Sequence, residues 1–523
     1  MTIVAPAARK TLAALLTTLG LLAMACGAAA TATAPPAPTS TPISATETPI
    51  PSPTVANVAL ASSGIEGGDP DFNLAAMMWQ AYWLSRDQFG PFVMASGMGV
   101  PFQPPMETLM QGMAMVAQNP ADKVVIPTNL MPLQAIFASG SPNLINDPRE
   151  FEPLDLEAFR LDPESFDTTI SVRGQAETML KESQWARNFG NAHFGEPDGD
   201  FGAQQRFLGL MVSMLAQMQG QYAMQELLGE DGLYHDSDGN LDYTGNWVML
   251  HTLADIAGLT AGGRYANSES NPMFFGAANG LFQALEARNP DSPQEAAAAV
   301  RALAYFSWVN DGDESAGAAL TKLRSIADTL QATPTEAGVV EKSAAIVGLT
   351  AASVAADDQT YIPAAIALFQ SMTADFDPDT GVFTSQQVYT SDDVAWIIGG
   401  LNFFAQQTGG DIKKEAYRVL LAFYESTISL AGLQLSAPPG KNGALASPWE
   451  LNLPSVVYYH PADTPPPPMA GKLTVPGEEI TWDGSEWRMT SDRFVPASAM
   501  HLANELNWMG PHLGSIPFPP SIN

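Results

Sequence analysis

The chain has 523 residues, 46 % of them hydrophobic, with 55 acidic against 23 basic side chains and a net charge of −32 at pH 7. So negative a chain repels phosphate backbones, which excludes nucleic acid as a partner. Its one cysteine, Cys26, permits neither an internal disulfide nor a thiolate-built metal site, so stability has to come from buried apolar area, which this length and composition supply.

At the amino terminus, Arg9 and Lys10 precede an apolar run from Leu12 to Met24 that is too short to span a bilayer, and Ala25 follows. This arrangement resembles a bacterial lipoprotein signal, cut just before a cysteine whose sulfur is diacylated. The resemblance implies a signal peptide over 1–25, lipid on Cys26 and an exported, membrane-anchored protein facing the extracytoplasmic side. An ordinary secretory peptide with an incidental cysteine is the alternative. Loss of Arg9 and Lys10 takes the net charge to about −34. No later apolar run reaches the ~20 residues needed to cross a membrane, so the lipid would be the only anchor. Residues 26–58 form a tether: from Gly27 to Thr54 they hold seven prolines, many Thr and Ser, a single charge at Glu47 and no aromatic. Such a segment cannot bury enough surface to fold and reaches on the order of 85 Å as polyproline II.

Residues 59–170 read as a mixed helical segment packed on the body, with helices broken by Pro-rich joints. Met77, Met78, Met94, Met98, Met106, Met110, Met113 and Met115 crowd this stretch. Outside the cytoplasm clustered thioethers can bind Cu(I), whereas the helical spacing of Met106, Met110 and Met113 also suits a core face.

Residues 171–435 are helical and repetitive. Ser292-Pro293-Gln294-Glu295 and Thr333-Pro334-Thr335-Glu336 are capping-box sequences 41 residues apart, each with proline at the first helical position. Each opens an Ala-rich helix (296–309 and 337–355), then an acidic loop and a second helix (316–330 and 362–372), which makes an αα-hairpin repeat. A longer-range echo links Gly232-Leu233-Tyr234, followed by Tyr243 to Trp247, with Gly381-Val382-Phe383, followed by Tyr389 to Asp393. With helices at 174–188, 203–228, 274–288 and 412–430 there are five hairpins, and 73–117 offers a sixth. The fold class expected is mainly α. Five or six such hairpins resemble the α/α toroid of six-hairpin glycosidases and sugar epimerases; an open helical solenoid shows the same local pattern.

Thr390-Ser391-Asp392-Asp393-Val394-Ala395-Trp396, continuing through Ile-Ile-Gly-Gly-Leu, is similar to family 76 mannan-degrading hydrolases, although Ser391 and Val394 flank the pair where that family carries WDDE. The resemblance implies Asp392 and Asp393 as nucleophile and general acid/base, with Trp247, Trp396 and Tyr389 as stacking surfaces for a sugar. Such chemistry needs two carboxyls of opposed pKa flanking one ring. The same acids would equally serve as an N-cap and a first-turn residue favoured by the helix dipole.

Asp236, Asp238, Asn240 and Asp242 place oxygen side chains at alternate positions, as do Asp375, Asp377 and Asp379. An extended loop of that kind can wrap calcium, and Asp and Gly are also ordinary turn residues. The six histidines, His193, His235, His251, His460, His501 and His512, show no metal-ligand spacing. Residues 436–523 are Pro-rich and partly β, with Glu479 to Met489 reading as a hairpin that turns at Asp483-Gly484 and brings Trp482 near Trp487, as a packing pair or a sugar platform. The expected protein is a lipid-anchored surface toroid that binds or hydrolyses carbohydrate. The alternatives are a non-catalytic envelope scaffold and a copper-handling protein.

Overall fold

Twelve α-helices dominate the described residues of this computed structural model, which are 74–102, 130–146, 156–191, 200–436 and 471–509. In chain order they are α1 (Leu74–Ala95), α2 (Val172–Asn191), α3 (Asp200–Glu226), α4 (Tyr243–Ala261), α5 (Ser270–Leu285) and α6 (Pro293–Val309). There follow α7 (Glu314–Leu330), α8 (Val339–Ala355), α9 (Ile362–Thr373), α10 (Ser391–Gln407), α11 (Gly410–Tyr424) and α12 (Pro496–Trp508). The chain divides into two units, and every described residue belongs to Leu60–Gln103 with Gly112–Asn523. Cys26, the tether and Met106 to Met115 lie outside the described residues.

Local sequence sets the helix ends. Ser292 Oγ accepts from the Glu295 N–H at 3.1 Å with Pro293 in the first turn, while the Glu295 carboxylate accepts from the Asp291 N–H and Arg288. Asp313 caps α7 by accepting from the Ser315 N–H. The second capping-box sequence does not open a helix. Residues 333–338 make a turn and α8 starts at Val339 behind Gly338, because the Thr335 carbonyl accepts from Lys342 Nζ at 3.3 Å and Ser371 Oγ at 2.7 Å, which ties the turn to α8 and α9.

The helices form two concentric layers. Around the inner layer α2 packs on α4, α4 on α6, α6 on α8, α8 on α10, α10 on α12, and α12 returns to α2. Each has one outer partner: α3, α5, α7, α9 and α11 for the first five, and α1 for α12. The ring therefore closes, as an α/α toroid and not an open solenoid, and its sixth hairpin is built from two distant stretches of chain. Ser85 of α1 donates to the Ala503 carbonyl of α12 at 2.7 Å. Composition follows the layers. Inner α8 is buried on both sides over most of its length, whereas outer α7 buries a single stripe, Ala316, Ala319, Leu323, Ile326, Ala327 and Leu330. Small residues let the inner helices approach closely. A Cβ on Gly400 would stand 2.8 Å from the Ser343 carbonyl oxygen of α8, and one on Gly399 2.5 Å from Glu505 of α12.

The inner helices run in one direction, since Arg173 early in α2 meets Asp392 early in α10, and Arg187 late in α2 meets Asp255 late in α4. Short antiparallel sheets lead into their amino-terminal ends: β1 (Gly99–Pro101), β2 (Leu133–Ser139) and β3 (Asp167–Ile170) before α2, and β4 (Phe376–Asp377) with β5 (Val382–Phe383) before β6 (Val388–Thr390) and α10. The echoing Gly232 and Gly381 both have positive φ, +79° and +70°, a conformation that glycine reaches without a Cβ clash. β7 (Glu479–Trp482) pairs with β6 and with β8 (Trp487–Ser491), and Trp482 faces Trp487 with ring centroids 5.3 Å apart. The hairpin and α12 are thus parts of the toroid, joined to the face where α10 begins.

Candidate functional site

A line of charges runs down the ring axis from the amino-terminal ends of the inner helices. Arg173 Nη2 donates to Asp392 Oδ1 at 2.5 Å, and His501 Nδ1 lies 2.7 Å from the same oxygen. His501 Nε2 is 3.3 Å from Glu505 Oε1, which accepts from Arg301 Nη1 at 2.5 Å. Glu177 lies 4.0 Å from Arg173 and accepts from Asn504 at 3.0 Å. The guanidinium of Arg301 is enclosed by the rings of Trp396, Phe403 and Trp508, with centroids 4.8–5.8 Å away.

Protonation follows from this alternation of sign. Burial alone lowers the His501 imidazole, but Glu177, Asp392 and Glu505 outweigh it and raise its pKa to about 9, so both ring nitrogens carry protons. Burial alone would raise the Asp392 carboxyl, but Arg173 and His501 hold it well below the usual carboxylate range. Burial likewise opposes ionisation of Glu505, and Arg301 with His501 keep it low. Burial pushes Glu177 up, against the pull of His501 and Arg173. Exposure falls along the axis: the Asp392 and Arg173 side chains are 25 % and 18 % exposed, those of His501 and Glu505 4 % and 0 %. Only the first pair is offered to solvent.

The two adjacent aspartates have separate tasks. Thr390 is the N-cap of α10; its hydroxyl accepts from the Asp393 N–H, and the Asp393 carboxylate accepts from the Thr390 N–H at 2.9 Å, a complete capping box. Asp392, expected as an alternative N-cap, instead points to Arg173 and His501. The ionised Asp392 is a poor proton donor, and Asp393, raised by burial against its bonds to Thr390, is engaged in the cap. Below them the cavity at the axis measures about 20 Å³, room for a water-sized occupant and not for a sugar ring.

Several expected site residues take other positions. Trp247 and Tyr389 are fully buried, and the Tyr389 hydroxyl bonds to the Phe383 backbone, so neither ring has a free face for a sugar. Trp396 is buried as well and lines the axial cavity against His501. In the proposed calcium loop, Asp236 accepts from the Val172 N–H at 2.7 Å and so caps α2, while Asp238 accepts from the Asn240 N–H and side-chain amide. Asp242 stands at the N-cap of α4 without a side-chain cap bond. Asp375 and Asp377 are held by Thr384 and Thr380. No group of three or more acidic, histidine or cysteine side chains suited to a metal ion occurs among the described residues. Met77, Met78, Met94 and Met98 are buried in the helical layers.

Sequence reasoning did not select Arg173, Glu177, Arg301, His501 or Glu505. Two signals marked them: Arg173/Glu177 and His501/Glu505 are i,i+4 pairs, and Arg301 is the one basic residue of an Ala-rich helix, buried among apolar neighbours, which demands a buried counter-charge.

No family model matches the chain, and no curated protein matches it. Among solved structures it is similar to a Bacteroides ovatus GH9 protein, at 11 % identity and a TM-score of 0.34 over 85 % of this chain and 83 % of that one, a likeness that carries no argument about the site. Among the described residues no helix is long and apolar enough to cross a membrane.

Proposed function

We propose that the chain is exported, held to a membrane by lipid on Cys26, and presents its toroid as a carbohydrate-binding module whose ligand lies across the amino-terminal ends of the inner helices. The observation that carries this reading is the Arg173–Asp392 pair. It is the solvent-facing end of an otherwise buried network, and both hydrogen bonds to Asp392 fall on Oδ1, leaving Oδ2 without a protein partner among the described residues. A fixed carboxylate beside a fixed guanidinium suits neighbouring sugar hydroxyls, one donating and one accepting, with little ordering cost on binding. Trp482 and Trp487, partly exposed on the hairpin joined to β6, supply apolar rings for a sugar face. Binding is favoured over hydrolysis because Asp393, the carboxyl whose raised pKa would suit a general acid, is engaged in the helix cap.

The test is a glycan-array screen of the purified chain, followed by titration of the best ligand with Asp392→Asn and Arg173→Gln. Each variant should weaken binding at least about tenfold, the value of one charge-assisted bond, and the wild type should release no reducing sugar. Retention of no glycan, or equal binding by both variants, would remove the reading.

A further inference from the structure

The axial cavity has a donor-rich lining, in which Glu177 and Thr244 also supply acceptors. Five of the residues around it carry buried nitrogens without a hydrogen-bond partner among the described residues: Arg173 Nε, His251 Nε2, Arg301 Nε and Nη2, Trp396 Nε1 and Trp508 Nε1. The arginine and tryptophan nitrogens are donors only, and His251 can add another. Glu505 Oε2, also without a hydrogen-bond partner among the described residues, lies against α10, where the missing side chain of Gly399 makes room for it.

We propose that this cavity binds a small monovalent anion of halide size, held by the N–H groups of Arg301, Trp396 and Trp508 inside the ring. A water molecule has two lone pairs, so it satisfies at most two of these donors, and its own protons would need the Glu177 carboxyl or the Thr244 hydroxyl. A halide has no protons to place and can accept from more than two donors, and about 20 Å³ is too small for sulfate or a carboxylate ligand. The ion would act as a keystone between α2, α4, α6, α10 and α12. Arg173 borders both sites, but the anion's assigned donors are Arg301, Trp396 and Trp508 whereas the glycan reading rests on Asp392 and Arg173, so variants at Trp396 and Trp508 test anion binding apart from glycan binding.

The experiment measures the thermal midpoint of the full chain while sodium chloride or bromide replaces sodium gluconate at constant ionic strength. The midpoint should rise saturably with either halide. Trp508→Phe and Trp396→Phe, which keep a ring and remove the N–H, should each raise the halide concentration at half-effect by about tenfold. Bromide-soaked wild-type crystals should show an anomalous peak between Arg301 and Trp508, a readout that needs no variant to fold. Coincident midpoints in halide and gluconate, a half-effect unchanged in both variants, or bromide absent from the cavity would each overturn the assignment.

Discussion

Replacing His501 with Gln should change how stability depends on pH. In the folded chain the imidazolium lies between Asp392 and Glu505, with Glu177 also facing it and with Arg173 Nη2 3.5 Å from Nδ1 on the opposing side. Its pKa is raised from 6.5 to about 9. A raised histidine stabilises fully below the unfolded value of 6.5, and that stabilisation is lost as pH climbs through 9. A gap of roughly two to three units is worth on the order of 3 kcal/mol. Lys181 works in the opposite direction. Fully buried, with Ser85 as its hydrogen-bond partner, it is pushed by burial well below the usual lysine range, so stability grows as pH rises toward 10.5 and the unfolded chain ceases to hold the extra proton. The wild-type profile alone thus mixes two opposing slopes. The difference between wild type and His501→Gln, taken from urea unfolding at pH 6, 7, 8, 9 and 10 in one salt, cancels Lys181. That difference should shrink by about 3 kcal/mol from the lowest pH to the highest. A difference that stays constant across the range would refute the placement of a charged His501 between two carboxylates.

Removing one partner of the buried Arg301–Glu505 pair, as in Arg301→Met, should cost about 3–5 kcal/mol in denaturant unfolding, while Arg301→Met with Glu505→Gln should recover part of it. Gly400→Ala should cost about 1–3 kcal/mol, since its Cβ meets Ser343 backbone atoms that only separation of α8 and α10 could relieve. Gly276→Ala, in the open on α5, should instead be neutral or stabilising by roughly 0.5–1 kcal/mol in the same assay. Asp236→Ala should cost about 1 kcal/mol through loss of the bond to the Val172 N–H, and neither millimolar calcium nor EDTA should move the melting temperature of the wild type, because the oxygens of Asp236 and Asp238 are occupied within the loop and at the start of α2.

Helix-period patterning and caps made the hairpins legible, and five of the six could be counted from consecutive segments. The closing hairpin was harder to read because its two helices, α12 and α1, come from opposite ends of the chain, and a local pattern says nothing about which distant helix completes a ring. The Thr333–Glu336 sequence met every local requirement for a helix start and was overruled by bonds from Lys342 and Ser371 to one carbonyl. In the site, Asp392 stood out because acids at a helix start are visible in sequence. Its partners were hidden among apolar residues, since Arg173 on α2 and His501 and Glu505 on α12 meet Asp392 only through the packing of those helices on α10. The Gly399-Gly400 pair drew attention through a family likeness, yet its structural role is close approach of α10 to α8 and space for the Glu505 carboxylate.

The central claim is that the amino-terminal face of the ring recognises sugar through Arg173 and Asp392. Isothermal titration of the purified chain with the best ligand from a glycan array, against Asp392→Asn with an unchanged circular-dichroism spectrum, tests it most directly. Saturable binding that weakens at least about tenfold in the variant is the predicted result. Binding of equal strength in both proteins would contradict it.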